Sequence, residues 1–268
     1  MTLRVAIGGL GAIGRVVALR LDQGIEGLAL TAVSARDTAR AAATMAGFQH
    51  RVPVVPLGRL WEEADIVIEC APAAVLREIA EPALEHGRMV MVLSCGALLD
   101  NFDLVELARR HGGRILVPTG ALLGLDAVAA AAEGTIATVH MITRKPPGGL
   151  AGAPYLEQHG ISIEGLGAPK RVFAGSAREA ARGFPANVNV AAALALAGVG
   201  PERTTIEIWA DPGVTRNTHR IEVEADAVRL SMQIENVPSA ENPKTGRLTP
   251  LSVIAALKKL ASPLAVGT

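Results

Sequence analysis

The chain has 268 residues, half of them hydrophobic, and its 26 basic residues balance 26 acidic ones. That balance, with no basic block, gives no footing for a nucleic-acid partner, and without an apolar run of about 18 residues no membrane span is expected. Aromatics make up only 3%, so the core must be built from Ala, Val, Leu and Ile. Two cysteines, Cys70 and Cys95, make no disulfide framework, and the N-terminus runs into a strand pattern without a signal-peptide pattern. A cytoplasmic protein is expected.

The first strand, residues 3–7, runs into Gly9-Leu10-Gly11-Ala12-Ile13-Gly14, and a helix follows over residues 12–21. G-x-G-x-x-G between a strand and a helix is the dinucleotide fingerprint. The first glycine makes the turn, the second admits a pyrophosphate, the third lets the helix pack close, and the helix N-terminus faces the phosphate charge. The second strand, residues 28–33, ends at Ser34-Ala35-Arg36-Asp37, about 25 residues beyond Gly9, where ribose is read. Ser34 and Arg36 suit a 2′-phosphate and Asp37 suits a free ribose. NAD and NADP therefore both stay open, as does the reading of Asp37 as a helix cap.

A helix over 38–47, a short strand over 52–55 and a near-continuous apolar strand over 65–70 follow. The last ends in Ala71-Pro72, at the sheet edge that carries ligands. A helix over 74–86, a strand over 89–93 emptying into a turn at Ser94, a helix over 102–111 and a strand over 114–117 complete the alternation. The expected fold is an α/β doubly wound parallel sheet of Rossmann type with about six strands. Cys95, just after a sheet strand, is a candidate nucleophile, against the plainer reading of a small buried residue.

The second half changes character. A helix over 125–132 and an alternating strand over 135–144 precede a Pro/Gly-rich stretch, 145–154, expected to be a mobile, solvent-facing loop, with Pro146 to Pro154 the candidate lid. Helices are expected over 177–182 and 186–197, the latter capped by the Asn187-Val188-Asn189 stretch. Residues 205–210, 218–224 and 228–235 alternate strictly, the last two as a hairpin, and 251–260 is helical. This predicts a smaller α+β domain with an open mixed or antiparallel sheet, its wet face covering a domain or a second subunit. The domain division is 1–120 for the dinucleotide, 121–244 for substrate and dimerisation, with a final helix at about 245–268 packing back on the first.

Nicotinamide chemistry needs a proton carrier, by default histidine. Of six histidines, His86 and His111 precede glycine at helix ends, while His219 opens a strand after the turn 211–218. His219 is the candidate, with a surface strand histidine as the alternative. Arg144, Lys145, Asn217, Thr218 and Lys244 are unranked candidates for holding substrate carboxylates.

Several longer strings are more specific: Ser94-Cys95-Gly96-Ala97-Leu98, Pro118-Thr119-Gly120-Ala121, the stretches 184–191 and 211–219, and 236–239 with 242–245. With the glycine fingerprint, they resemble the L-aspartate dehydrogenase family nearly end to end. The resemblance implies a dihydrodipicolinate-reductase-like second domain and a homodimer. It also implies oxidation of L-aspartate to iminosuccinate with NAD or NADP. The imine then hydrolyses to oxaloacetate and ammonia, or feeds NAD biosynthesis. The family's catalytic histidine maps onto His219 and its nicotinamide contacts onto Ala121 and Asn189. The alternatives are a reductase of cyclic imines and a non-enzymatic dinucleotide sensor.

Overall fold

The computed structural model describes residues 2–185, 188–239 and 246–267. The chain divides into two compact units, Met1–Pro118 with Thr249–Val266, and Thr119–Leu248 with Gly267–Thr268.

Unit 1 contains β1 (Leu3–Gly8), α1 (Ala12–Asp22), β2 (Leu28–Ser34), α2 (Thr38–Met45), β3 (Ile66–Glu69), α3 (Leu76–Glu85), β4 (Met89–Val92), α4 (Cys95–Asp100), α5 (Asp103–His111) and β5 (Arg114–Leu116). All five strands are parallel, in the order β2-β1-β3-β4-β5. The chain adds β2 on one side of β1 and β3 to β5 on the other, so the tip of β1 lies at the switch point where open α/β sheets bind ligands. Val5, Ile7, Ile66 and Ile68 share one core with Val17 and Leu21 of α1, and with Val253, Ile254 and Leu257 of the last helix. Val67, Val90 and Val92 are fully buried outside that cluster, as strands covered on both faces require.

One expectation for this unit fails. The stretch 52–55 forms only an isolated parallel bridge, Val33 with Val54, so the sheet has five strands rather than six. After β4, Cys95–Asp100 winds into a short helix with no counterpart among the expected elements.

Unit 2 contains α6 (Leu125–Ala132), β6 (Ile136–Lys145), α7 (Pro154–Gln158), β7 (Lys170–Ser176), α8 (Ala177–Gly183), α9 (Asn189–Ala197), β8 (Thr204–Ala210), β9 (Asn217–Ala225) and β10 (Arg229–Asn236). The remaining helix, α10 (Leu248–Ala261), carries the unit 1 core residues just named. The sheet order is β10-β9-β6-β8-β7, antiparallel except for the β6–β8 pair. β7 has no counterpart among the expected strands. The Pro/Gly-rich stretch after β6 is anchored rather than solvent-facing throughout: Leu150 is fully buried and Ala153 nearly so. The helix after Phe184 starts at Asn189, with Val188 at its cap position and no side-chain cap bond; Asn187 lies outside the described residues.

Tyr155, Phe173 and Phe184 form an aromatic cluster with ring centroids 5.1 to 5.6 Å apart. Phe184 is the largest fully buried side chain. Replacing it with alanine should cost unit 2 about 3–5 kcal/mol, read as a lower first midpoint in urea unfolding with the unit 1 transition retained.

Candidate active site

In unit 1 the three fingerprint glycines meet different surroundings. Gly9 has φ +106°, and a methyl group there would lie 2.7 Å from the Cys70 carbonyl oxygen. A methyl at Gly14 would lie 1.9 Å from the Gly9 carbonyl oxygen, so α1 sits as close to the turn as backbone allows. A methyl at Gly11 would meet nothing within 4 Å. Gly11 is also the N-cap of α1 and brings no capping side chain. The N–H groups of Ala12, Ile13 and Gly14 thus open a helix start with clear space at its mouth, which suits a pyrophosphate. These residues fit a dinucleotide.

The neighbouring strand tips complete this edge. Gly9 N–H donates to the Ser34 carbonyl (2.8 Å), and Cys70 N–H donates to the Gly8 carbonyl (2.8 Å). Ser34 is buried and Arg36 exposed. Asp37 caps α2, accepting from Arg40 N–H at 2.9 Å, so its carboxylate is already engaged as a cap. Ala71-Pro72 leads the turn after β3. Ser94 is buried, and its hydroxyl donates to Glu69 at 3.0 Å. Glu69 did not stand out in the sequence, because it sits inside an apolar strand run. Its side chain is fully buried, and burial pushes its carboxyl up to about 7 against the pull of N–H donors. Cys95 is buried as well, and burial with the nearby Glu69 charge pushes its thiol up to about 12. A thiol held protonated is no nucleophile, so the plainer reading of Cys95 stands.

In unit 2 the alternation of β6 and β9 sorts the candidates between two faces. Thr143 pairs with His219 and Arg144 with Thr218 across the β6–β9 ladder. Thr143, Lys145, Asn217 and His219 are buried on one face. Arg144 and Thr218 lie on the other, where the Arg144 guanidinium pairs with Asp211 at 3.1 Å and covers the Trp209 ring at 4.8 Å. Thr218 and Arg144 are therefore not brought to His219. Lys244 lies outside the described residues. Asp211 also accepts from Gly213 N–H at 2.9 Å, so the turn into β9 is held from within.

His219 is the only buried histidine of the six. β9 is flanked by β10 and β6, so His219 lies at the end of an interior strand and not on an edge strand. Its Nδ1 lies 3.1 Å from Thr143 Oγ1. Burial, with the positive charge of Lys145 added, lowers its pKa to about 3, so the imidazole is neutral at every physiological pH. Four of the other five histidines have structural settings: His86 stacks on Trp61, His159 stacks on Tyr155, His140 meets Thr205 at 2.9 Å, and His50 lies 3.4 Å from Asp22. Asn236, paired with Asn217 across the β9–β10 ladder, donates to the Ala121 carbonyl at 2.9 Å. Asn189 opens α9 as an exposed residue. No helix among the described residues is long and apolar enough to cross a membrane.

Residues 9–118 match the family model described as "Homoserine dehydrogenase, NAD binding domain". With the parallel sheet and its open glycine turn, this makes the chain a dehydrogenase that uses NAD or NADP. Residues 126–260 match "Aspartate dehydrogenase, C-terminal". The L-aspartate dehydrogenase of Bradyrhizobium diazoefficiens is 61% identical, covering 99% of this chain and 94% of that protein. L-aspartate dehydrogenase 3 of Bordetella bronchiseptica is 58% identical, covering 99% and 98%. The chain belongs to the aspartate dehydrogenase family. The crystal structure of aspartate dehydrogenase from Thermotoga maritima, 24% identical, covers all of both chains with a TM-score of 0.74, so the fold is shared.

The two inner glycines separate folding from binding. Gly14→Ala overpacks backbone and should cost about 1–3 kcal/mol or more of stability, read as a lower thermal midpoint. Gly11→Ala has room within the protein. It should keep the midpoint within about 2 °C yet weaken binding of reduced coenzyme about tenfold or more, measured by fluorescence titration.

Proposed function

We propose that the protein oxidises L-aspartate to iminosuccinate with NAD or NADP, the imine then hydrolysing to oxaloacetate and ammonia or passing into NAD biosynthesis. Family membership supports the reaction, and one observation carries the mechanism: a buried, neutral imidazole beside a buried lysine. Unit 1 holds the coenzyme through the turn Gly9 to Gly14, with Ser34, Arg36, Ala71, Pro72 and Ser94 along the same strand tips. Ala121 and Asn189 of unit 2 serve the nicotinamide. The bound oxidised coenzyme supplies the hydride acceptor.

His219 handles the proton. With Nδ1–H donating to Thr143 Oγ1, Nε2 is the basic nitrogen. It takes a proton from the substrate amino group, whose lone pair must be free as positive charge grows toward the imine. The same nitrogen then activates water for hydrolysis. Lys145 and Asn217, on the same face, hold a substrate carboxylate. That negative charge offsets the cation that depresses His219, so substrate arrival raises the imidazole's basicity where it is needed. The enzyme works in the cytoplasm as a homodimer, which light scattering at micromolar concentration checks.

His219→Ala should lower turnover by roughly 10²–10⁴-fold with coenzyme affinity near that of the unmodified protein; unchanged turnover would remove His219 from the reaction. Lys145→Met should raise the aspartate KM about 10–100-fold, the loss of one charge-assisted bond.

The pH dependence has a definite sign. The free enzyme's imidazole is already deprotonated above about pH 3, so kcat/KM should rise toward alkaline pH with the substrate amine alone. A limb near 6.5 in the unmodified enzyme would contradict this. In Lys145→Met, where the depressing charge is gone, an acid limb should move up toward that range.

A further inference from the structure

We propose that Glu69 is a positioning residue for the coenzyme, its buried carboxylate stapling the end of β3 to the turn after β4 and so bracing the glycine-rich turn. The inference rests on the reading that unit 1 binds a nicotinamide dinucleotide.

Glu69 is the last residue of β3, and its side chain is fully buried. Its Oε2 accepts from Leu93 N–H at 3.1 Å and Ser94 N–H at 2.8 Å, and its Oε1 accepts from the Ser94 hydroxyl at 3.0 Å. Three donors, all from the turn after β4, thus converge on one carboxylate. Among the described residues no cation forms an ion pair with it, and burial, together with its charge, holds the neighbouring Cys70 and Cys95 thiols protonated.

A carboxylate without a cation is a poor way to stabilise a core, since an apolar side chain there would avoid the desolvation cost. What the carboxylate alone supplies is about four acceptor lone pairs in one place. They fix the end of β3, which runs directly into the Ala71 turn, against the Ser94 turn. The Ala71 turn in turn presses on the fingerprint: the Cys70 carbonyl is the atom a methyl at Gly9 would strike, and Cys70 Cβ lies 3.3 Å from where a methyl at Gly14 would be. The staple therefore sets the backbone against which the pyrophosphate turn rests.

Glu69→Gln tests this. Glutamine has nearly the same size but only one acceptor oxygen, and its amide N–H groups would face other donors. The charge burial is also relieved, so thermal stability should stay level or rise while coenzyme binding weakens. Fluorescence titration with NADH and with NADPH should give a Kd about tenfold higher in Glu69→Gln and about threefold higher in Ser94→Ala. The double variant should be no more than about twofold weaker than Glu69→Gln, because both changes break one shared interaction. The coenzyme KM should rise by a larger factor than kcat falls.

A Kd within twofold of the unmodified protein in both single variants overturns the proposal, as does a loss of stability with binding intact. Effects that multiply in the double variant overturn it too, since the loss in Glu69→Gln would then not run through the Glu69–Ser94 interaction. Should Glu69→Gln not fold, Ser94→Ala carries the test, and unchanged binding there is decisive against the staple. Absence of binding by the unmodified protein would refute the coenzyme reading itself.

Discussion

Unit 1 depends on one close approach, that of the first turn of α1 to the carbonyl of Gly9. No side chain fits at Gly14, because its Cβ would lie 1.9 Å from that oxygen. With a methyl there the helix would have to retreat from the sheet, and its N-terminal N–H groups would leave the switch point between β1 and β3. The same approach forces Gly9 into positive φ, a conformation glycine reaches at no steric cost. From this contact a line of backbone hydrogen bonds runs across the strand tips: Ser34 to Gly9, and Gly8 to Cys70. Glu69 extends the line to Leu93 and Ser94 by side chain, where β4 ends and backbone pairing stops.

In unit 2 the governing constraint is the period of two along a strand. Arg144 and Lys145 are adjacent cations, but the pleat sends one to the face of Trp209 and the other to the face of His219. The first is satisfied by Asp211 and an aromatic ring, an ordinary arrangement for a half-exposed arginine. The second is buried near an imidazole, and the two positive forms cannot both be favoured there. The imidazole is the one that gives up its proton, since its ordinary pKa lies far below that of a lysine. A buried neutral base poised beside a cation is a state that an anionic ligand relieves.

Much of this could be read from residues alone, and the failures have physical causes. The fingerprint, the near-continuous apolar strand ending at residue 70 and the alternation of 218–224 are strong signals, and each corresponds to an element. The stretch 52–55 has strand composition, yet composition does not supply a ladder, and Val54 finds a single partner. β7 was missed for the opposite reason: Lys170-Arg171-Val172-Phe173 does not alternate, and the strand exists because β8 offers it an edge. The ranking of Arg144 against Lys145 required register, because a shift of one residue exchanges every side chain between faces. Glu69 hid because its neighbours are apolar. The available signal was a lone carboxylate closing a strand that is otherwise buried on both faces.

Glu69 in unit 1 and His219 in unit 2 are both held away from their ordinary states, by different means. Glu69 is surrounded by donors and lacks a cation, so desolvation and hydrogen bonding oppose each other and its carboxyl ends near neutrality. His219 has one hydroxyl partner and a cation nearby, so desolvation and charge act together and its pKa falls to about 3. The first arrangement trades stability for a fixed backbone geometry. The second leaves a buried imidazole neutral beside a cation. Both costs are tolerable only where the surrounding structure over-determines the group, and each lies at a strand end within a sheet packed by helices. The paired rigid strands supply the constraint, and the strand ends, where the ladder stops, leave room for a side chain to do something other than pack.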